Sequence, residues 1–112
     1  MHSGGISKLP RTLLLFSFFT GSYTVRTETT VRTTELNFSL GVPFKEETLD
    51  GRIASTTASR IGHVLTLDQK GDPSKGELDT KQIRDFQGDK MLMSLVAQNV
   101  VCLRYYERII EE

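Results

Sequence analysis

The sequence predicts an all-β domain, an antiparallel barrel or sandwich, and three observations carry that prediction. Apolar and polar residues alternate with a period of two in segment after segment. Turn residues recur at intervals of roughly 8–12 positions. No stretch of useful length keeps a helical period. At 112 residues the chain is long enough for one domain and too short for two ordinary ones.

Residues 1–11, with Gly4, Gly5 and Pro10, read as an irregular lead-in, and residues 12–110 as the single domain. Thr12 to Phe19 is rich in leucine and aromatic residues and is predicted as a strand, closed by Thr20-Gly21-Ser22. Lys8 and Arg11, then this apolar run, then small residues also follow the order of a secretory signal. The apolar core is at the short end for a signal, however, and a secreted domain of this size usually pairs its cysteines. Tyr23 to Arg32 alternates, with Tyr23, Val25, Thr27, Thr29 and Val31 on one face. Leu36, Phe38 and Leu40 resume the pattern until Gly41 and Pro43 break it. Phe44 to Thr48 is a short strand closed by the hairpin dipeptide Asp50-Gly51. Arg52 to Ser59 and His63 to Gln69 flank Gly62. The segment from Gly71 to Gly76 is a loop, and Leu78 to Phe86 is the next strand. Lys90 to Ala97 and Val100 to Ile109 complete the set around Gln98-Asn99. A helix over residues 90–110 loses to the β-branched and aromatic run from Val100 to Tyr106.

Composition removes several function classes. Fourteen basic and 14 acidic side chains give a formal net charge of +0, whereas nucleic-acid binders carry excess Lys and Arg to displace counterions. Cys102 is the one cysteine, so no internal disulfide forms, and a reducing, cytoplasmic compartment is the natural setting. His2, His63 and Cys102 lack metal-ligand spacing. No run approaches the roughly 20 apolar residues of a membrane span. Neither histidine sits in a triad context, and no glycine loop has phosphate-cradling spacing. An enzyme is therefore not expected, nor a cofactor.

The last strand is the most informative. Alternation puts Val100, Cys102, Arg104 and Tyr106 on one face. If that face points into a barrel, a guanidinium and a phenol project inward together, and a buried arginine is costly unless an anion meets it. Such a pair makes a carboxylate clamp. The competing reading has Arg104 in solvent beside Glu107 or Glu111. Arg84 alternates with Ile83 and Asp85, and by itself it reads equally as a surface ion-pair partner.

The block Thr29-Thr30-Val31-Arg32-Thr33-Thr34-Glu35-Leu36-Asn37-Phe38 resembles the intracellular lipid-binding proteins, most closely the cellular retinoic-acid binding proteins. Gly41, followed by Phe44-Lys45-Glu46-Glu47-Thr48-Leu49-Asp50-Gly51-Arg52, is similar to a segment of the same proteins. So is the close, Asn99-Val100-Val101-Cys102-Leu103-Arg104-Tyr105-Tyr106-Glu107-Arg108. The resemblance covers residues 22–109. It implies an antiparallel up-and-down β-barrel, the lipocalin-like β-clam, around a water-filled cavity. It also implies reversible carriage of a small hydrophobic acid, a fatty acid or retinoic acid. On this resemblance Arg84, Arg104 and Tyr106 hold the ligand carboxylate. Asp50 and Arg52 match the turn beside the ligand portal, and Thr29 and Arg32 match cavity or portal positions. Two departures leave the choice of acid open. Retinoid members carry a tryptophan where Gln82 stands, and Gly41-Val42-Pro43 replaces a glycine followed by two glutamates.

At the front, residues 1–21 stand where the family has a first strand and a capping helix pair. The expectation is a barrel incomplete at its N-terminus and without a helical lid. The last strand then lacks a neighbour, and its edge can associate with another chain. A shortened isoform or gene-model fragment, acting at most as a β-edge interaction module, is the alternative to a working carrier. A monomer is expected, with transient membrane contact, in the cytoplasm and also the nucleus; secretion is the minor alternative.

Overall fold

A computed structural model describes residues 9–48 and 51–109. The alternating segments form nine strands: β1 (Arg11–Ser17), β2 (Ser22–Glu28), β3 (Thr33–Phe38), β4 (Phe44–Glu47), β5 (Ile53–Ile61), β6 (Val64–Lys70), β7 (Thr80–Gln87), β8 (Lys90–Ala97) and β9 (Val100–Arg108). All belong to one sheet ordered β3-β2-β1-β9-β8-β7-β6-β5-β4. Among the described residues the one helical element is a short 3-10 turn, Pro73–Lys75. Asp72 caps it by accepting from the Ser74 amide. No helix of the described chain is long and apolar enough to cross a membrane. The predicted all-β, up-and-down barrel is the fold observed.

Each strand turns one alternate set inward. Tyr23 and Val25, then Leu65 and Leu67, pack with Phe38 and Ala58 in one buried cluster. Met91, Met93 and Tyr106 form a second, and Phe86 packs against both. Small residues on β5 (Ala54, Thr56, Ala58) keep that wall thin on the inside.

Closure follows from strand count. An up-and-down order of nine strands leaves the first and last running the same way, so β1 meets β9 in parallel. The contact is brief: Arg11 lies opposite Glu107, and Thr12 opposite Arg108. Glu107 N donates to Pro10 O at 2.9 Å and Ile109 N to Thr12 O at 2.8 Å. Along Val100–Tyr106, β9 is paired on its β8 side only. A second seam lies between β3 and β4, the two ends of the hydrogen-bonded order. There the rings of Phe38 and Phe44 stack, with centroids 5.2 Å apart and an interplanar angle of 11°.

Several boundaries differ from the sequence prediction. β1 ends at Ser17, not Phe19, because Ser17 pairs with Ser22 and Gly21 N bonds back to Ser17 O at 2.8 Å. Gly21 turns the chain at φ 68°, and Phe18 and Phe19 lie in the turn. β2 ends at Glu28 rather than Arg32, since the Thr29 hydroxyl accepts from the Val31 and Arg32 amides and builds the next turn. Asp50, half of the expected hairpin dipeptide, lies outside the described residues.

Candidate ligand-binding cavity

Four strands, β4, β6, β7 and β9, supply the polar interior. On β7, alternation turns Gln82 and Arg84 inward, both buried, while Lys81 faces out. Arg84 Nε donates to Gln82 Oε1 at 2.7 Å. Its Nη1 is buried and has no hydrogen-bond partner among the described residues. Burial lowers the Arg84 pKa from its ordinary value; Tyr106 and Glu46, both close enough to act on its charge, work in the opposite sense. Tyr106 arrives from β9, opposite Met91, and is 4% exposed. Glu46 arrives from β4, two residues after the inward ring of Phe44, and is 6% exposed. Gln69 Nε2 donates to Glu46 Oε1 at 2.9 Å, and the Thr80 hydroxyl donates to Gln69 Oε1 at 2.7 Å. A polar relay therefore crosses from β7 through β6 to β4.

Glu46, Gln69, Gln82, Arg84 and Tyr106 line a hollow of about 380 Å³, with Val25 and Leu36 on its apolar wall. A smaller hollow of about 210 Å³ adjoins it; Thr48, Gln69 and Gln82 line both. The smaller one is walled by apolar Leu95, Val96, Ala97 and Val100. The smaller hollow is mainly apolar and the larger, partly open one is lined mostly by polar and charged side chains, so a small amphiphilic ligand suits the larger hollow. Its single uncompensated donor, on a cation, suits an anionic one.

No family model matches the chain. Cellular retinoic acid-binding protein 1 of Homo sapiens is 39% identical over 89 residues, 75% of this chain and 61% of the relative. Sodium/calcium exchanger regulatory protein 1 of Doryteuthis pealeii is 39% identical over 88 residues, 79% of this chain and 63% of the relative. The crystal structure of a fatty acid-binding protein from Drosophila melanogaster brain superposes with a TM-score of 0.72 at 34% identity, covering 86% of this chain and 70% of that one. The chain belongs to the intracellular lipid-binding protein family. It spans 61–63% of the length of these two curated relatives. None of the three proteins bears an enzyme's name.

The residues that the family resemblance singles out fall into distinct places. Arg84 and Tyr106 line the larger hollow together. Arg104 does not: the residue is exposed, although the register sets it opposite buried Met93 on the Tyr106 face. The reason is the open side of β9, where the barrel wall has no further strand to cover it. Arg32 is exposed and touches the rim of the same hollow. Thr29 is exposed and spent on its own turn. Arg52 lines the smaller hollow, 3.6 Å from Glu77, with its amide on the Thr48 hydroxyl.

Sequence reasoning about this intracellular lipid-binding protein missed the Thr80–Gln69–Glu46 relay. Counting by twos from Phe44 reaches Glu46, so the signal was present. That reasoning also read Gln82 only as the loss of a tryptophan, whereas the amide orients Arg84.

Proposed function

We infer that the chain binds one small hydrophobic carboxylic acid, a fatty acid or a retinoid, non-covalently in the larger hollow, and carries it unchanged. The observation that supports this most is the buried Arg84 Nη1 left without a partner beside the Tyr106 phenol. A carboxylate supplies what that cation lacks: a charge-assisted acceptor on the guanidinium, with a second bond from the phenol. Arg104 lies opposite Met93, which itself lies opposite Arg84, so a head group drawn along that row meets a second cation. Arg32 and Arg52 mark the entrances, and Thr29 belongs to the turn that carries Arg32.

The division of labour follows from magnitudes. Covering about 400 Å² of hydrocarbon yields on the order of 10 kcal/mol gross, of which ordering removes a large part. Each charge-assisted bond adds about 1.5–3 kcal/mol. The tail gives affinity; Arg84, Arg104 and Tyr106 give preference for acids. Residues 12–110 act as one binding domain in the cell interior, where the exposed free thiol of Cys102 stays reduced. With a net charge of +0, no nucleic-acid partner is expected.

Titration with a fluorescent fatty acid, then displacement by retinoic acid, tests the reading. Saturable 1:1 binding is expected. Arg84→Leu is expected to weaken acids by roughly 10–100-fold and to leave the matching alcohols nearly unchanged. Equal losses for acid and alcohol, or no saturable binding at micromolar protein, would overturn it.

A further inference from the structure

The open edge of β9 has a defined hydrogen-bonding parity. Arg108 N donates to Asp89 O on the β8 side, whereas Glu107 N and Ile109 N donate to Pro10 O and Thr12 O on the β1 side. Backbone groups of successive residues point to opposite edges of a strand, so Val101, Leu103 and Tyr105 turn their N–H and C=O groups away from β8. β1 pairs with β9 only at Glu107 and Arg108, and no strand among the described residues faces those three. The three residues are 60%, 53% and 58% exposed. From Val100 to Tyr106 there is no proline, glycine, lysine or carboxylate, and Arg104 is the single charge. Natural edges are usually blunted by such residues; this one is not.

The occupant of such an edge is an extended chain segment, and the register narrows the choice. The chain's own β1 stops short for a chemical reason. Continuing its parallel register one step would bring Tyr105 O to the nitrogen of residue 10, and Pro10 has no N–H to give. A second β9, run antiparallel, fits. With Leu103 opposite Leu103 of the second copy, Val101 falls opposite Tyr105, and all three outward residues of each copy exchange backbone bonds in pairs. Val101, Leu103 and Tyr105 of both copies then form one apolar row on the outer face. On the inner face Arg104 falls opposite Cys102, so no like charges meet. Sliding one copy by a pair removes these advantages. One direction sets Arg104 opposite Arg104 and Val101 opposite Glu107, whose amide is spent on Pro10. The other sets Tyr105 opposite Asn99 of the β8–β9 turn and leaves fewer bonds.

We propose that two copies of this chain pair through β9 about a two-fold axis at Leu103, each supplying the missing neighbour of the other's last strand. A self-complementary contact of this kind closes at two copies. It also sets the second copy's strand beside Arg104, which is exposed in the single chain because that side of the barrel wall is open. The proposal is independent of what the hollow carries.

Cysteine pairing reads both the contact and its register. Opposed residues that exchange no backbone bond have Cα atoms about 4.5 Å apart, whereas diagonal neighbours lie roughly 7–8 Å apart; only the former spacing admits a disulfide. Arg104→Cys, which retains Cys102, is equilibrated in a buffer of reduced and oxidised glutathione, and the product is mapped by mass spectrometry. A covalent dimer linked between positions 102 and 104 is expected. The parent, with Cys102 alone, and Cys102→Ser/Arg104→Cys are each expected to stay unlinked, since in both the two thiols are diagonal. Leu103→Pro removes the central outward N–H and leaves the β8–β9 ladder whole. Sedimentation equilibrium should show its dimer weakened about tenfold or more, with circular dichroism checking the fold. A parent that sediments as a monomer throughout the micromolar range overturns the proposal, as does a dimer that Leu103→Pro leaves unchanged. Linkage of 102 to 102 or of 104 to 104 overturns the register.

Discussion

Arg84 and Gln82 show how one buried charge can be held ready for a ligand. The amide of Gln82 satisfies Nε and leaves Nη1 open to the hollow. Gln82→Leu would strand the second nitrogen as well, and a loss of about 1–3 kcal/mol in urea unfolding is expected. Gln82→Glu keeps the acceptor but adds an internal anion; acid ligands should then bind far more weakly while alcohols do not, a difference that the same fluorescence titration reads. A second residue carries local strain. Gln98, in the β8–β9 turn, is the one non-glycine with positive φ among the described residues, at 53°. L-residues resist that region, so Gln98→Gly should raise the unfolding free energy by on the order of 1 kcal/mol. Neither feature was legible beforehand. Gln-Asn marked the turn but not its hand. Gln82 was read by what it replaced rather than by what it touches.

At the scale of the element, alternation carried most of the prediction. All nine strands were anticipated, because a half-buried pleat writes its period directly into the side chains. The ends were less legible: Phe18 and Phe19 extend the apolar run of β1, but the register from Ser17 to Ser22 ends the strand before them. Arg104 is the sharper case. The pattern gives the face of a strand, yet whether that face is covered depends on a neighbour elsewhere in the chain. The open side of β9, with Val101, Leu103 and Tyr105 exposed on its outer face, presents an unprotected edge of the kind that pairs with other chains. Leu103→Lys should suppress concentration-dependent association in sedimentation velocity without lowering the thermal midpoint. A variant that associates as readily as the parent would remove β9 from consideration.

For the whole molecule, the hollow and the core compete for the same interior. Leu65, Leu67, Met91 and Met93 are fully buried, yet Thr56, Gln69, Gln82 and Glu46 occupy inward positions where apolar residues would pack better. A barrel built this way yields stability to its cavity, and a bound acid should restore it. At a free ligand concentration one hundred times Kd the gain is about 2.7 kcal/mol. For a domain near 100 residues that corresponds to a rise in Tm on the order of 10 °C. Scanning calorimetry with palmitic acid and with the corresponding alcohol measures it, and the acid should give the larger rise. The barrel class was readable from sequence because short alternating strands admit few other architectures. The parallel join of β1 to β9 was not, since it depends on an odd strand count that becomes certain only when every boundary is known.

That join also has a mechanical meaning. β1 enters and β9 leaves at the same two rungs, and the strands run in one direction. Tension applied through the two flanking segments would therefore pull them past each other along their axes, loading both rungs at once instead of peeling them in turn. Rupture should be abrupt, at a modest force set by so few bonds, and it would part β1–β3 from β4–β9, leaving them joined only across the β3–β4 seam, before any hairpin is lost.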